Sequence, residues 1–289
     1  MITDFTTKPI GEANRKEISL PFYPLEEANY NAIIEIIDKQ TGVNLTGYRR
    51  GVAMRRISRR MRAVGCEKIE EYMKILSKDK EEVLKLLRLI TIQVSQFFRN
   101  PGVYKAIDAI ILPALFQKSE EESLIWSAGC AEGEEPYSLA ILLLERHSQK
   151  LKHHPVRIIA TDVNEESIRI AKEGRYIRKR VTLVDDSLLR RYFRCRDNVY
   201  ELKDIVRVIV EFRCSDILQE KGIEQADVVM LRNLLIYFDK EKQDKILKKI
   251  DKTLKSRGFL VLGKSETIPL WMRVSYQAVA FRERIYRKL

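Results

Sequence analysis

Between Leu25 and about Ile92, apolar residues recur three and four positions apart. Ile33, Ile36 and Ile37 share one face, Ile69, Tyr72, Met73 and Leu76 another, and Leu84, Leu87, Ile90 and Thr91 a third, with Leu86 beside them. That period belongs to amphipathic helices, and Gly42, Gly47 and Gly65 punctuate it. The pattern predicts a small all-helical module. Asn100-Pro101-Gly102 breaks it, and Pro101 suits the first turn of a new helix through Val103, Ile107, Ile110 and Ile111. Beyond this point the period changes. Short apolar runs appear at Leu124-Ile125-Trp126, Val156-Arg157-Ile158-Ile159-Ala160, Val228-Val229-Met230-Leu231 and Phe259-Leu260-Val261-Leu262, with helical stretches at residues 136–146, 165–173 and 239–254. Strands alternating with helices predict a parallel sheet with crossover helices. Residues 275–289 read as extended and add an antiparallel edge. From Tyr176 to Phe212 the alternation is interrupted by a basic piece with short strand-like runs, which reads as an inserted subdomain. Residues 1–20 are polar, carry no period and read as a tail.

Composition narrows the class. The chain has 289 residues, 45% of them hydrophobic, enough for a real core and too many for a disordered chain. No apolar run approaches the roughly 20 residues of a membrane helix, and the first residues lack a basic and apolar leader. Cys66, Cys130, Cys195 and Cys214 lie far apart without a Cys-x-x-Cys, and the histidines are His147, His153 and His154. That argues against a metal site, a disulfide framework or a histidine-based nucleophile, and suits a cytoplasmic protein with reduced thiols. The net charge of +12 favours an acidic partner without saying which kind.

In an open parallel sheet, ligands sit beyond the carboxyl ends of the strands. After the first run comes Ser127-Ala128-Gly129-Cys130-Ala131-Glu132-Gly133-Glu134-Glu135-Pro136. Gly129 and Gly133 permit a tight turn and close approach to a ligand. Two carboxylates at the helix entrance repel a pyrophosphate and welcome a cation such as an ammonium group. They also suit a helix start with no ligand. After the second run, Asp162 is placed to accept hydrogen bonds from ribose hydroxyls, leaving Asn164 as the helix cap. A nucleoside that carries an ammonium group and no phosphate points to S-adenosylmethionine. The Arg232-Asn233-Leu234-Leu235-Ile236-Tyr237-Phe238-Asp239 loop lacks the Pro-Pro expected of a nucleic-acid amino methylase.

Gln96-Phe97-Phe98-Arg99-Asn100, the block from Trp126 to Ala140, Ala160-Thr161-Asp162, the Arg232 to Asp239 loop and Leu262-Gly263-Lys264-Ser265-Glu266 occur in this order. Together they resemble the CheR-type chemoreceptor glutamate methyltransferases over about residues 25–289. The resemblance implies an α/β fold: a doubly wound, mostly parallel Rossmann-like sheet, a small all-helical N-terminal domain over 21–94, and a methyltransferase domain over 95–289 with an inserted β-subdomain at about 177–212. It implies S-adenosyl-L-methionine as cofactor, S-adenosyl-L-homocysteine as product, and glutamate side chains on the cytoplasmic helices of chemotaxis receptors as substrate. It further implies that Glu135 meets the methionine ammonium, that Asp162 holds the ribose, and that Gly129, Arg232 and Asn233 line the pocket. Arg99 and Tyr237 stand near the sulfonium and the incoming carboxylate, Gln93 and Ser95 complete the wall, and Asp216 and Ile217 face the adenine. The chain departs from the family pattern at Gln93 and Ser95, where Asn and Thr are common, at Asp216 for Asn, at Lys264 for His, and at Ser256-Arg257-Gly258 for Pro-Gly-Gly. Asp216 accepts but cannot donate a hydrogen bond, which puts that one adenine contact in question.

A glutamate, with a reference pKa near 4.3, is already an ionised nucleophile at pH 7 and needs no general base. Arg99 would fix it by a bidentate contact. Arg55, Arg56, Arg59, Arg60 and Arg62 follow one another with no intervening acid, opposite the apolar positions Met54, Ile57, Met61 and Val64. They form either a solvated face or a docking face for an acidic receptor bundle; RNA would suit by charge alone. The expected protein is a monomeric enzyme without metal. Two other readings stand beside it: a non-catalytic cofactor-binding regulator of the same fold, and a methyltransferase acting on a nucleic acid.

Overall fold

A computed structural model describes residues 26–91, 95–117 and 122–289; the tail of residues 1–20 and Gln93 lie outside them. Four helices form the N-terminal module: α1 (Glu27–Thr41), α2 (Arg50–Ala63), α3 (Ile69–Lys78) and α4 (Lys80–Ile90). Ile33, Ile37, Ile57, Tyr72, Leu76, Val83, Leu86 and Ile90 close one core. The face of α4 is Val83, Leu86, Leu87 and Ile90, so Leu84, expected on it, points outward at 45% exposure. The stagger 83, 86, 87, 90 is a better i, i+3, i+4, i+7 stripe than one drawn through residue 84. One charged group is buried here. Glu82 takes the Arg60 fork, Nε and Nη2 each at 2.6 Å, and the Tyr72 hydroxyl at 2.9 Å.

A short helical run, α5 (Pro101–Ala106), a π-turn (Ile107–Ile111) and α6 (Leu112–Leu115), leads into the second domain. There follow β1 (Ser123–Ala128), α7 (Glu134–Leu151), β2 (Val156–Asp162), α8 (Glu165–Glu173), β3 (Arg175–Ile177), α9 (Asp186–Tyr192), β4 (Phe193–Arg196), β5 (Val199–Leu202), α10 (Asp204–Arg207), β6 (Val210–Cys214), β7 (Ala226–Leu231), α11 (Lys240–Thr253), β8 (Leu254–Leu262), β9 (Tyr276–Ala280) and β10 (Ile285–Lys288). The main sheet runs β6-β2-β1-β7-β8-β10-β9. Its first five strands are parallel, and β10 joins β8 antiparallel and pairs with β9 as an antiparallel edge, as the extended C-terminal pattern suggested. Every residue of β7 is buried, which explains an uninterrupted apolar run in place of alternation. Trp126 on β1 is wholly buried and donates from Nε1 to Thr161 Oγ1 at 3.0 Å, so its one polar atom is satisfied inside the core.

The inserted piece forms a separate antiparallel sheet, β3-β5-β4. It spans residues 175–202 rather than about 177–212, because β6 belongs to the main sheet beside β2. Strand order reverses between β1 and β7. That switch point opens a crevice at the carboxyl ends of the central strands.

Candidate active site

The loops after β1, β2, β6 and β7 converge on this crevice as two adjoining lobes. One is lined by Gly129, Ala131, Thr161, Asp162, Ser215, Asp216, Ile217, Asn233 and Tyr237, with Tyr48 and Thr91 added by the helical module. The other is lined by Ser95, Gln96, Arg99, Tyr104, Cys130, Glu135 and Arg232. Gly129, Ala131, Asn233 and Tyr237 border both. Every described residue assigned to the cofactor or the reaction from sequence therefore lines this one cleft.

Within the first lobe, Asp162 accepts from Ala131 N–H through Oδ2 and from Asn164 N–H through Oδ1, each at 2.9 Å. Burial holds its carboxyl above the usual range, against the pull of those backbone donors. Asn164, and not Asp162, caps α8 by accepting from Ser167 N–H at 3.1 Å. Asp162 is thus fixed at the crevice floor with acceptor capacity remaining on each oxygen. Asp216 spends one oxygen on its own turn, accepting from Leu218 N–H at 2.7 Å. Ile217 beside it is buried and apolar, suited to a flat base.

The second lobe carries opposite charges side by side. Glu135 accepts from Ser127 Oγ at 2.9 Å and from Arg232 Nη1 at 3.0 Å. The other terminal nitrogen of Arg232 donates to the Arg99 carbonyl at 2.9 Å and to Asn100 Oδ1 at 3.1 Å. One side chain therefore ties the β7 loop to the segment that carries Arg99. The Tyr104 hydroxyl is buried beside Arg232 and Ser138; burial pushes its phenol up to about 12, while Arg232 pulls it down. An amino acid's ammonium and carboxylate match the Glu135–Arg232 pair, an acceptor at Asp162 matches ribose hydroxyls, and Glu135, the one acid of the α7 start that lines a lobe, disfavours phosphate. The residues present fit S-adenosylmethionine.

Several supports were not singled out from sequence. Glu266 is buried and accepts from three backbone N–H groups, of Asn233 at 2.8 Å, Leu235 at 2.8 Å and Gly263 at 2.6 Å. It holds the loop bearing Asn233 and Tyr237. A Cβ on Gly263 would lie 2.7 Å from Asn233 N, so no other residue fits there. Glu134, unlike its neighbour Glu135, faces away from the lobes. It is fully buried, its Oε1 stands 3.0 Å from Arg180 Nη1, and burial pushes its carboxyl up to about 7 despite that cation. Gly133 separates Glu132 from Glu134 with φ 92°, and a Cβ there would meet Ala171 at 2.9 Å.

The five arginines assigned to docking divide. Arg55, Arg59 and Arg62 are exposed. Arg60 is held by Glu82. Arg56 points inward, donates to the Ile90 carbonyl and lies 5.7 Å from the centre of the Tyr237 ring. Helical spacing alone puts Arg60 and Arg56 on the outer face, since it gives an angle but not the neighbour waiting there. The module is also stapled to the Tyr237 loop, with Arg49 N–H on the Tyr237 carbonyl and Asp239 N–H on the Gly47 carbonyl, both 2.8 Å. Burial raises the Tyr237 phenol, while Arg56 and Arg99 pull it down.

A Rossmann-like sheet whose switch point carries a lobe with a fixed acceptor, Asp162, beside a lobe of paired opposite charges, Glu135 and Arg232, fits a methyltransferase. The pattern of the CheR methyltransferase SAM-binding domain matches residues 93–284, and that of the CheR methyltransferase all-alpha domain matches residues 28–91. Similar proteins include a chemotaxis protein methyltransferase of Listeria monocytogenes, 31% identical over 242 residues, covering 84% of this chain and 91% of that protein. A chemotaxis protein methyltransferase of Borreliella burgdorferi is 29% identical over 245 residues, covering 82% of this chain and 87% of that one. An uncharacterized 104.1 kDa protein of Rhodobacter capsulatus is 30% identical over 259 residues; the match takes in 89% of this chain and only 27% of that protein's length. The chain belongs to the CheR methyltransferase family, and its cofactor is S-adenosylmethionine.

Proposed function

We propose that the protein transfers the methyl group of S-adenosylmethionine to glutamate side chains of chemotaxis receptors, giving glutamate methyl esters. The observation that carries this reading is the company of Arg99 and Tyr237 at the cleft, with no histidine among the described residues lining either lobe. A carboxylate nucleophile needs a cation and a hydroxyl to aim it, and no base to deprotonate it. The bound cofactor supplies an electrophilic methyl group on a positively charged sulfur. Asp162, Asp216 and Ile217 would hold its nucleoside, and Glu135 and Arg232 its amino-acid end. Arg99 draws the incoming carboxylate and fixes its plane, and the Tyr237 hydroxyl donates to it. Closure of the helical module over Tyr237 keeps water from the reacting centre. Exposed Arg55, Arg59 and Arg62 on α2 supply a docking face for an acidic helical bundle. The naming of relatives as chemotaxis protein methyltransferases over most of their length supports the same substrate.

Label transfer tests this. With tritiated-methyl S-adenosylmethionine and a receptor cytoplasmic fragment, the label should leave as methanol in mild alkali. Label that survives alkali would eliminate the ester.

A further inference from the structure

We infer that Arg180, on the inserted subdomain, is a positioning residue that holds Arg99 in register with the cofactor-lining glycine loop; the inference rests on the methyl-transfer reading above. Arg180 sits in the 3-10 turn Arg178–Arg180 that follows β3. Its Nη1 donates to the Ser95 carbonyl at 2.7 Å, and its own carbonyl accepts from Phe97 N–H at 3.0 Å. One residue thus grips the segment at Ser95 and Phe97, four and two positions before Arg99. The same guanidinium pairs with Glu132 and lies 3.0 Å from Glu134. Those acids flank Gly133 at the end of the loop whose Gly129, Cys130 and Ala131 line the cleft. Both walls of the second lobe, the Ser95–Arg99 segment and the glycine loop, are therefore tied to one cation that belongs to neither.

The contacts around it make this junction stiff. Phe97 is wholly buried, with its ring edge-on to Tyr176 at 4.9 Å and to Phe193 at 5.3 Å, both from the insertion. The Tyr176 hydroxyl donates to the Glu132 carbonyl at 2.7 Å. On the far side, Phe98 N–H donates to Ser138 Oγ at 2.9 Å, and Arg232 holds the Arg99 carbonyl. Arg99 is thereby pinned between the insertion and the β7 loop. A guanidinium spans a carbonyl and two carboxylates because its donors are spread over separate nitrogens in a fixed plane; an ammonium carries its three donors on one nitrogen and spans less. Removing it frees the segment to shift relative to the glycine loop, and shifts of about 1 Å in a reacting group cost about a hundredfold in rate.

Arg180→Ala and Arg180→Lys test the inference in the full chain. Turnover is measured by ester formation on a receptor cytoplasmic fragment and divided by the active-site concentration found from calorimetric titration with S-adenosylhomocysteine. Arg180→Ala should lower kcat by about a hundredfold, with the Kd for S-adenosylhomocysteine within about threefold of the parent. Arg180→Lys should fold like the parent and recover only part of the rate. Amide hydrogen exchange over residues 95–100, in the S-adenosylhomocysteine complex, should quicken in the alanine variant. Unchanged kcat per titrated site overturns the inference, as does full recovery by lysine. If the parent protein makes no ester on the fragment, the substrate reading has failed; exchange at 95–100 then decides the matter, and unaltered exchange in Arg180→Ala overturns the positioning role.

Discussion

Asparagine at position 162 keeps the shape of the side chain and removes one acceptor. The carboxylate serves two backbone donors, Ala131 N–H and Asn164 N–H, one on each oxygen at 2.9 Å. An amide has a single acceptor oxygen. Whichever way it turns, its NH2 group confronts one of those donors, so one hydrogen bond is lost and two donors meet. A hydrogen bond to a charged group is worth about 1.5–3 kcal/mol. Part is recovered, because a neutral amide is easier to bury than a carboxylate whose pKa burial already raises. The unliganded protein should therefore lose about 1–2 kcal/mol of stability, read as a lower midpoint in urea unfolding. The cofactor reports a separate loss. Ribose hydroxyls donate, and the variant offers them a single acceptor oxygen already partly used. Affinity for S-adenosylhomocysteine should fall by about 1–3 kcal/mol, or roughly fivefold to 150-fold, by calorimetry. A lowered unfolding midpoint with a Kd within about twofold of the parent would refute the ribose role and leave Asp162 as a brace for the glycine loop.

Three other outcomes follow from the same geometry. Arg99→Ala should reduce ester formation by about a hundredfold or more while S-adenosylhomocysteine still binds, because the guanidinium aims the acceptor and does not carry the nucleoside; parallel loss of both would contradict this. Glu134 has a folded pKa of about 7 against an ordinary value of 4.5, so it holds its proton longer when folded and its contribution to stability is lost as pH rises from about 4.5 to about 7. Glu134→Gln lacks that loss, so its stability relative to the parent should climb across this window in urea titrations; a constant difference would show that Glu134 titrates normally. Reversing Arg55, Arg59 and Arg62 to glutamate should lower kcat/KM on the receptor fragment by about tenfold or more at low salt and leave cofactor affinity alone. Unaltered kcat/KM would return that face to solvent.

The parts that could be read from sequence are those a local pattern dictates. The runs at 124–126, 156–160, 228–231 and 259–262 all became parallel strands of one sheet, because two-sided burial demands continuous apolar residues. Asp162 could be separated from Asn164 because a helix cap has a fixed offset from the first turn. The supports were hidden for the opposite reason. Glu266 and the Asn233 N–H it holds are 33 residues apart, and Arg180 and Ser95 are 85 apart. Nothing in the spacing of either marks the meeting, which is made by the return of β8 beside β7 and by the fold-back of the insertion. Arg60 was placed outside for the same reason: its partner Glu82 arrives from α4, 22 residues on. The end of the insertion was misplaced because β6 is short and its exposed Glu211 breaks the apolar run that marks the other central strands.

The most direct test of the cleft is diffraction from crystals grown with S-adenosylhomocysteine. The adenine should lie beside Asp216 and Ile217, the ribose against Asp162, and the amino-acid end between Glu135 and Arg232, leaving the sulfur turned toward Arg99 and Tyr237. Density for the nucleoside outside these two lobes, or a sulfur facing away from Arg99 and Tyr237, would contradict the account.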